Sequence, residues 1–317
     1  MQPASDQRLI YFVGTNLGHA VTNQIHDIIA QDLSLNWRLR AIDSPSLHEF
    51  LGCMRGHQFG GAVVTIPHKI AIMSHLDLVD DMGSLLGACN NVYRSPGGLL
   101  VGTNTDWIGV RDSLLQLIKQ HSSSRKAEAA KDGATTPGKK NMPAFVVGAG
   151  GAARAAVYTL HSELGASMIY IINRDDLEVE SLVKDITKGY KNASLVPPIM
   201  VHLRNLDQAS CVEGAYYGVG TVPDFEPKTS QELAARDVLD KLLSKSQGVF
   251  LDMCYKPRVT RNIQLARQKG WTTEDGGQVV GWQLKAQWTL WAGRKTSEAI
   301  DLDRMIRTVH EIVETLP

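Results

Sequence analysis

The sequence predicts an α/β protein of two domains, on three observations. At 317 residues the chain is longer than one hydrophobic core ordinarily organises. Short β-rich apolar runs alternate with helix-like segments over nearly its whole length, the pattern of parallel sheets covered by helices on both faces. One of those runs ends in a glycine turn that opens directly into a helix.

The candidate strands, in order, are LIYFV (Leu9–Val13), AVVTI (Ala62–Ile66), AFVVG (Ala144–Gly148), MIYII (Met168–Ile172) and GVFLDM (Gly248–Met253). Residues 121–141, HSSSRKAEAAKDGATTPGKKN, break the rhythm with almost no large apolar side chain and predict a mobile surface loop near a domain junction. The last segment, LDRMIRTVHEIVETL, places Met305, Ile306, Val309, Ile312, Val313 and Leu316 on one helical face that must dock on a core.

Composition narrows the function classes. The chain is 43% hydrophobic and 21% charged with a formal net charge of zero, so a nucleic acid or an acidic membrane surface is disfavoured and a small molecule is the natural partner. No apolar run approaches the ~20 residues of a membrane span, and the stretch MQPASDQRLIYFVG shows no basic region followed by an apolar one, so no secretion signal is expected. The four cysteines (Cys53, Cys89, Cys211, Cys254) are scattered, without metal-ligand or disulfide-framework spacing. A cytoplasmic protein without a metal is expected; the oligomeric state is not legible.

The glycine turn lies in AFVVGAGGAARAAVYTL. Gly148, Gly150 and Ala153 take the spacing G-x-G-x-x-G/A, which combines a tight turn, close backbone approach to a pyrophosphate and close helix–strand packing. Ala149, Gly151 and Ala152 complete the turn, and the helix start offers N–H groups and a positive dipole end to phosphates. The next candidate strand ends in Asn173, Arg174, Asp175 and Asp176, with Glu178 following. A 2′-phosphate there meets three carboxylates and one guanidinium, whereas a ribose hydroxyl can donate to Asp175 or Asp176. NAD is therefore favoured over NADP, although Arg174 could stack on adenine or pair with a phosphate.

The run Gly60–Ile70, GGAVVTIPHKI, ends in a proline, a histidine and a lysine. Such a tip lies at the carboxyl edge of a sheet, where open α/β folds bind ligands, and Lys69 can lean into a crevice there. Asp106 follows in the small polar turn of GTNTDWIGV. A lysine beside an aspartate is a proton-transfer pair; from spacing alone they could equally be two unrelated exposed charges.

Seven stretches, in order, resemble the shikimate/quinate dehydrogenase family: VVTIPHK, GACNN, NTDWIG, GAGGAARA, NR after the following strand, LDMCYKPRVT and QLKAQWTLWAG. The resemblance implies an N-terminal α/β substrate domain, residues 1–112 with helices of 278–317 packed back on it, and a C-terminal Rossmann-type domain, residues 113–277. Closure would be a hinge motion between the two. It further implies NAD(P)-dependent oxidation of a ring hydroxyl of quinate or shikimate to the 3-dehydro ketone, with Lys69 and Asp106 as catalytic pair. Thr65, Asn90 and Gln283 match residues that hydrogen-bond ring hydroxyls, and Tyr255 matches a tyrosine near the substrate. Thr221, in GVGTVPDF, and Gly276 would face the cofactor.

The chain departs from the family pattern in three places. In HAVTNQIHD, Ala20 replaces a serine of the substrate-carboxylate motif, Thr22 keeps one hydroxyl and Asn23 stands in place of proline; His19 or Asn23 could compensate. GVGTVPDF replaces an Asn-Ala-Thr motif in the manner of fungal arom-type domains. Trp107 replaces a glycine after Asp106, lining a pocket or packing in a core. His68 reads as structural, and Trp282, Trp288 and Trp291 as packing. The acidic tip and the single hydroxyl of Thr22 favour the quinate-type branch. The alternatives are a relative acting on another cyclic polyol and a non-catalytic, repressor-like metabolite sensor.

Overall fold

The computed structural model describes residues 7–18, 20–132 and 141–315, with side chains outside 124–132. The chain forms two compact units, Met1–Asp106 with Val280–Leu316, and Trp107–Val279.

The first unit carries a six-stranded sheet of β1 (Arg8–Gly14), β2 (Trp37–Asp43), β3 (Phe59–Val64), β4 (Leu78–Val79), β5 (Asn91–Arg94) and β6 (Leu100–Thr103), in the order β2-β1-β3-β5-β6-β4. This sheet corrects the expectation of purely parallel pairing, because β5 runs antiparallel to both β3 and β6. The cause is local. Ser95-Pro-Gly-Gly-Leu99 closes a hairpin in which the Ser95 N–H donates to the Leu99 carbonyl at 2.9 Å and Gly98 takes φ +85°, a conformation open to glycine.

Alternation along β1 sends Tyr11 and Val13 into one apolar layer with Phe50 and Phe59, and Phe12 into another with Leu17 and Ala20. Strand β3 stops at Val64, two residues earlier than its apolar run. Thr65 still donates its N–H to the Val13 carbonyl at 2.8 Å, but Pro67 has no N–H with which to continue a ladder.

The C-terminal segment belongs to this unit. Trp291 sits so close over Gly61 that a Cβ there would lie 2.2 Å from its indole, and its Nε1 donates to Asn91 Oδ1 at 3.0 Å. Trp288 donates to Nδ1 of the buried His26 at 3.2 Å. The helix Leu302–Thr315 buries Met305, Ile306, Val309, Ile312 and Val313, as its spacing predicts; Leu316 lies outside the described residues.

The second unit holds β7 (Ala144–Val147), β8 (Ile169–Ile172), β9 (Met200–His202), β10 (Tyr217–Gly220), β11 (Val249–Asp252) and β12 (Thr272–Glu274). All pairings are parallel, in the order β9-β8-β7-β10-β11-β12. This is the doubly wound 3-2-1-4-5-6 arrangement, whose topological switch point lies between β7 and β10. Phe145 and Phe250 stack at 5.9 Å in its core.

One expectation is revised here. The predicted loop of 121–141 is helical up to Asp132, because the helix Asp106–Asp132 runs on through it; Ser-Arg-Lys-Ala-Glu-Ala-Ala-Lys lacks large apolar residues but is rich in strong helix formers. Residues 133–140 lie outside the described part. Trp107, open between pocket and packing, lies edge-on to Tyr158 at 5.4 Å and beneath the Arg111 guanidinium at 4.9 Å. Among the described residues no helix is long and apolar enough to cross a membrane.

Candidate active site

In the first unit, the turn after β3 delivers Lys69, the loop before β5 delivers Asn90, and the residues after β6 deliver Asn104, Thr105 and Asp106. The helix Gly277–Ala292 brings Gln283 and Gln287. All seven are buried. Lys69 Nζ donates to Asp106 Oδ2. The other carboxylate oxygen, Oδ1, accepts from Asn90 Nδ2 at 2.8 Å, and the backbone N–H of Asp106 donates to Asn104 Oδ1 at 3.0 Å.

Asn90 is the hub. Its Nδ2 also faces Gln283 Oε1 at 2.9 Å and Thr105 Oγ1 at 3.0 Å, and its Oδ1 accepts the Thr105 N–H at 2.7 Å. Gln287 Nε2 donates to Gln283 Oε1 at 3.0 Å, and Thr105 Oγ1 to the same oxygen at 2.7 Å. A buried ammonium and carboxylate are tolerated because each is paired and hydrogen-bonded. The consequence is a proton-bearing amine held at one place beside a fixed anion.

Thr65 lies half-buried four positions before Lys69, where its carbonyl accepts the His68 N–H at 2.9 Å. His68 itself is buried, with Nε2 2.8 Å from the Ser44 carbonyl. Thr22 is buried at the start of the helix Thr22–Asp32. Ala20 packs against Phe12 and Leu17 and offers no polar atom in place of the serine, whereas the Asn23 amide nitrogen donates to the Leu17 carbonyl at 2.7 Å and its Oδ1 is buried without a hydrogen-bond partner. His19 lies outside the described residues. Tyr255 belongs to the second unit, with the Lys256 ammonium 5.9 Å above its ring.

Sequence reasoning missed Thr105, Asn104 and Gln287. Thr105 and Asn104 stand within GTNTDWIGV, and Gln287 follows Gln283 by one helical turn, so the signals were present as neighbours of the chosen residues.

The glycine turn of the second unit lies at the switch point. Gly148 has φ +112°, and a Cβ on it would lie 2.4 Å from Thr221 Oγ1; the Thr221 hydroxyl in turn donates to the Val147 carbonyl at 2.8 Å. Gly150 contrasts with it. Its φ is −78°, yet a Cβ would meet nothing within 4 Å, so neither backbone conformation nor packing demands glycine, whereas a pyrophosphate drawn against the backbone would. Gly151 opens the helix Gly151–Tyr158, whose Ala152 and Ala153 are buried. Gly276 is required by packing, since its Cβ would lie 2.0 Å from the Met253 carbonyl.

At the end of β8, Asp175 caps the helix Asp176–Asn192, its Oδ1 accepting from the N–H groups of Leu177 and Glu178 at 2.8 and 3.2 Å. Asn173 Nδ2 donates to Glu178 Oε2 at 2.9 Å. Arg174 pairs with Glu232. At the end of β11, burial pushes the Asp252 carboxyl up to about 6, with the Thr260 hydroxyl donating to it at 2.7 Å.

A doubly wound parallel sheet with a bare glycine at its switch point, and a separate α/β unit with a buried amine–carboxylate pair in an amide network, are the two parts of a nucleotide-dependent dehydrogenase. Residues 12–92 match the family model described as the shikimate dehydrogenase substrate binding domain. A quinate dehydrogenase of Emericella nidulans is 34% identical over 312 residues, covering 92% of this chain and 90% of that protein. The pentafunctional AROM polypeptide of Komagataella phaffii is 30% identical over 302 residues, 94% of this chain but 18% of the polypeptide. The quinate dehydrogenase from Corynebacterium glutamicum, solved in complex with NAD, shares the fold with a TM-score of 0.72 at 22% identity, covering 97% of this chain and 100% of that one. The chain belongs to the shikimate/quinate dehydrogenase family.

Proposed function

We propose that the protein is an NAD-dependent dehydrogenase that interconverts quinate, or less favourably shikimate, with its 3-dehydro ketone. The observation that carries this reading is the buried Lys69–Asp106 pair, fixed by Asn90 within an amide and hydroxyl network suited to a polyhydroxylated ring. Each ring hydroxyl left without a partner in such a site would cost ~1–3 kcal/mol, which selects this substrate class over apolar alcohols.

The turn Gly148, Ala149, Gly150, Gly151 and Ala152 would hold the pyrophosphate, with Thr221 at the neighbouring strand end and Asn173, Arg174 and Asp175 at the adenosine end. NAD, when bound, supplies the hydride acceptor. Lys69, as the neutral amine, would take the hydroxyl proton as the hydrogen on the same carbon leaves with its bonding electron pair, and in reverse its ammonium would return that proton to the ketone oxygen. Asp106 positions the amine and balances its charge. Thr65, Asn90 and Gln283 orient ring hydroxyls.

The apolar setting of Ala20 and the engaged amide of Asn23 support a second reading, a dehydrogenase of a cyclic polyol whose carboxylate is absent or weakly held. Following nicotinamide reduction with quinate, shikimate and carboxylate-free polyols separates the readings. Turnover of quinate supports the first, turnover of polyols alone supports the second, and binding without turnover would identify a sensor. The four cysteines are free thiols, which supports a reducing, cytoplasmic setting.

A further inference from the structure

Arg174 is the first guanidinium after β8, at the edge where dinucleotide-binding sheets meet the adenosine ribose, and an arginine there ordinarily receives the 2′-phosphate of NADP. Here it is occupied. One of its Nη atoms donates to Glu232 Oε1, and the guanidinium carbon lies 5.4 Å from the centre of the Phe225 ring.

Glu232 is a built partner rather than a passing surface charge. It stands at the third position of the helix Ser230–Lys245, in a reciprocal capping box with Thr229. Its Oε2 accepts the backbone N–H groups of Lys228 and Thr229 at 2.9 and 3.0 Å, leaving Oε1 turned to Arg174. The side chain of Glu232 is 11% exposed against 54% for Arg174, so the carboxylate is the fixed member of the pair. The backbone N–H groups of Lys228 and Thr229 hold its pKa down to about 2, which favours the ionised carboxylate. Arg204, on the far side of the same tip, is likewise engaged, with Nε 2.8 Å from Asp176 Oδ1.

We infer that Glu232 is a determinant of cofactor selectivity, holding Arg174 neutralised over Phe225 so that a 2′-phosphate finds no unpaired cation. The inference rests on the dinucleotide reading proposed above. It differs from the sequence-based expectation, in which Asp175, Asp176 and Glu178 repel the phosphate and Asp175 or Asp176 receives the ribose hydroxyl.

Titration calorimetry with ADP and 2′,5′-ADP tests it without reference to the substrate. Glu232→Gln retains a side-chain acceptor for the capping box while removing the charge. The expected result is a shift of the affinity ratio toward 2′,5′-ADP by about tenfold, the scale of one charge-assisted hydrogen bond, reversed in Glu232→Gln/Arg174→Ala. In an otherwise unaltered chain, Arg174→Ala should move the ratio by less than about twofold, which guards against a folding defect at Glu232. ADP binding with an unmoved ratio in Glu232→Gln, or a large loss of 2′,5′-ADP affinity in Arg174→Ala, would overturn the inference alone. Binding of neither nucleotide would overturn the cofactor reading and this inference together.

Discussion

Asn90 and Gln283, 193 positions apart, meet through a 2.9 Å hydrogen bond in the buried network that also holds Asp106. The contact ties the loop before β5 to the helix Gly277–Ala292, and it makes the geometry of the amine–carboxylate pair depend on both sequence-separated parts of the first unit. Asn90→Asp replaces the shared donor by an anion facing Asp106 Oδ1, Gln283 Oε1 and Thr105 Oγ1. Chemical denaturation should show a loss of about 2–4 kcal/mol, from unpaired buried acceptors and a like-charge contact, together with a collapse of turnover. A variant as stable and active as the parent would show that the network does not organise the site.

Lys69→Ala removes the proposed proton acceptor while leaving the other unit untouched. Turnover of quinate should fall by about 10²–10⁴-fold, with nucleotide affinity preserved in titration calorimetry. Equal turnover would remove lysine from the mechanism.

The two turn glycines should part company. Gly148→Ala forces a side chain into the left-handed region and against Thr221 Oγ1, and should lower stability by at least about 1 kcal/mol. Gly150→Ala points its methyl into open space, so its melting temperature should stay close to the parent's while ADP affinity falls. A Gly150→Ala variant with full ADP affinity would mean that no phosphate approaches that backbone.

Asp175→Ala loses the N-cap of the helix Asp176–Asn192 and should cost about 1 kcal/mol in a denaturation curve. Under the ribose-reading expectation it should also weaken discrimination for NAD against NADP. Comparing the ratio of kcat/KM for the two cofactors in this variant and in Glu232→Gln shows which carboxylate carries selectivity.

His26 is buried against Trp288 and Trp291, and burial pushes its imidazole down to about 3 from an ordinary 6.5. The folded chain thus excludes a proton that the unfolded chain binds between those values. The stabilisation is complete above about pH 6.5 and is lost as pH falls toward 3, at up to ~1.4 kcal/mol per pH unit. Asp252, raised by burial, works in the opposite sense, so the test is a difference. His26→Gln, which keeps an acceptor for the Trp288 N–H, should flatten the acid limb of the stability curve; an unaltered slope would refute the assignment.

The nucleotide unit was legible because its signals are local. A β-run, a glycine turn and a helix of small residues lie within a few positions of one another, and the parallel strands are continuous apolar runs. The first unit was less so. The mixed sheet depends on a Pro-Gly-Gly hairpin between two short strands, β5 and β6, whose apolar content is too small to stand out. The seven family motifs placed Lys69, Asp106, Asn90 and Gln283 in one constellation, but the parts played by Thr105 and Gln287 emerge only when helix Gly277–Ala292 brings its amides to the loop before β5. At the β8 tip, composition suggested a cluster of free acids, whereas Asp175 is spent as a cap and Arg174 is claimed by a residue 58 positions away, a distance no motif spans.

The first unit is discontinuous in the chain, and this has a consequence for biosynthesis. A ribosome working from the N-terminus completes Trp107–Val279 before it has made Gln283, Gln287 or Trp291. The nucleotide unit can therefore settle as an uninterrupted segment, while the nascent Asn90 must wait for the segment that carries Gln283. The Asn90–Gln283 bond can thus close only after the intervening segment has been made, and a polypeptide that stops before Gln283 would lack it.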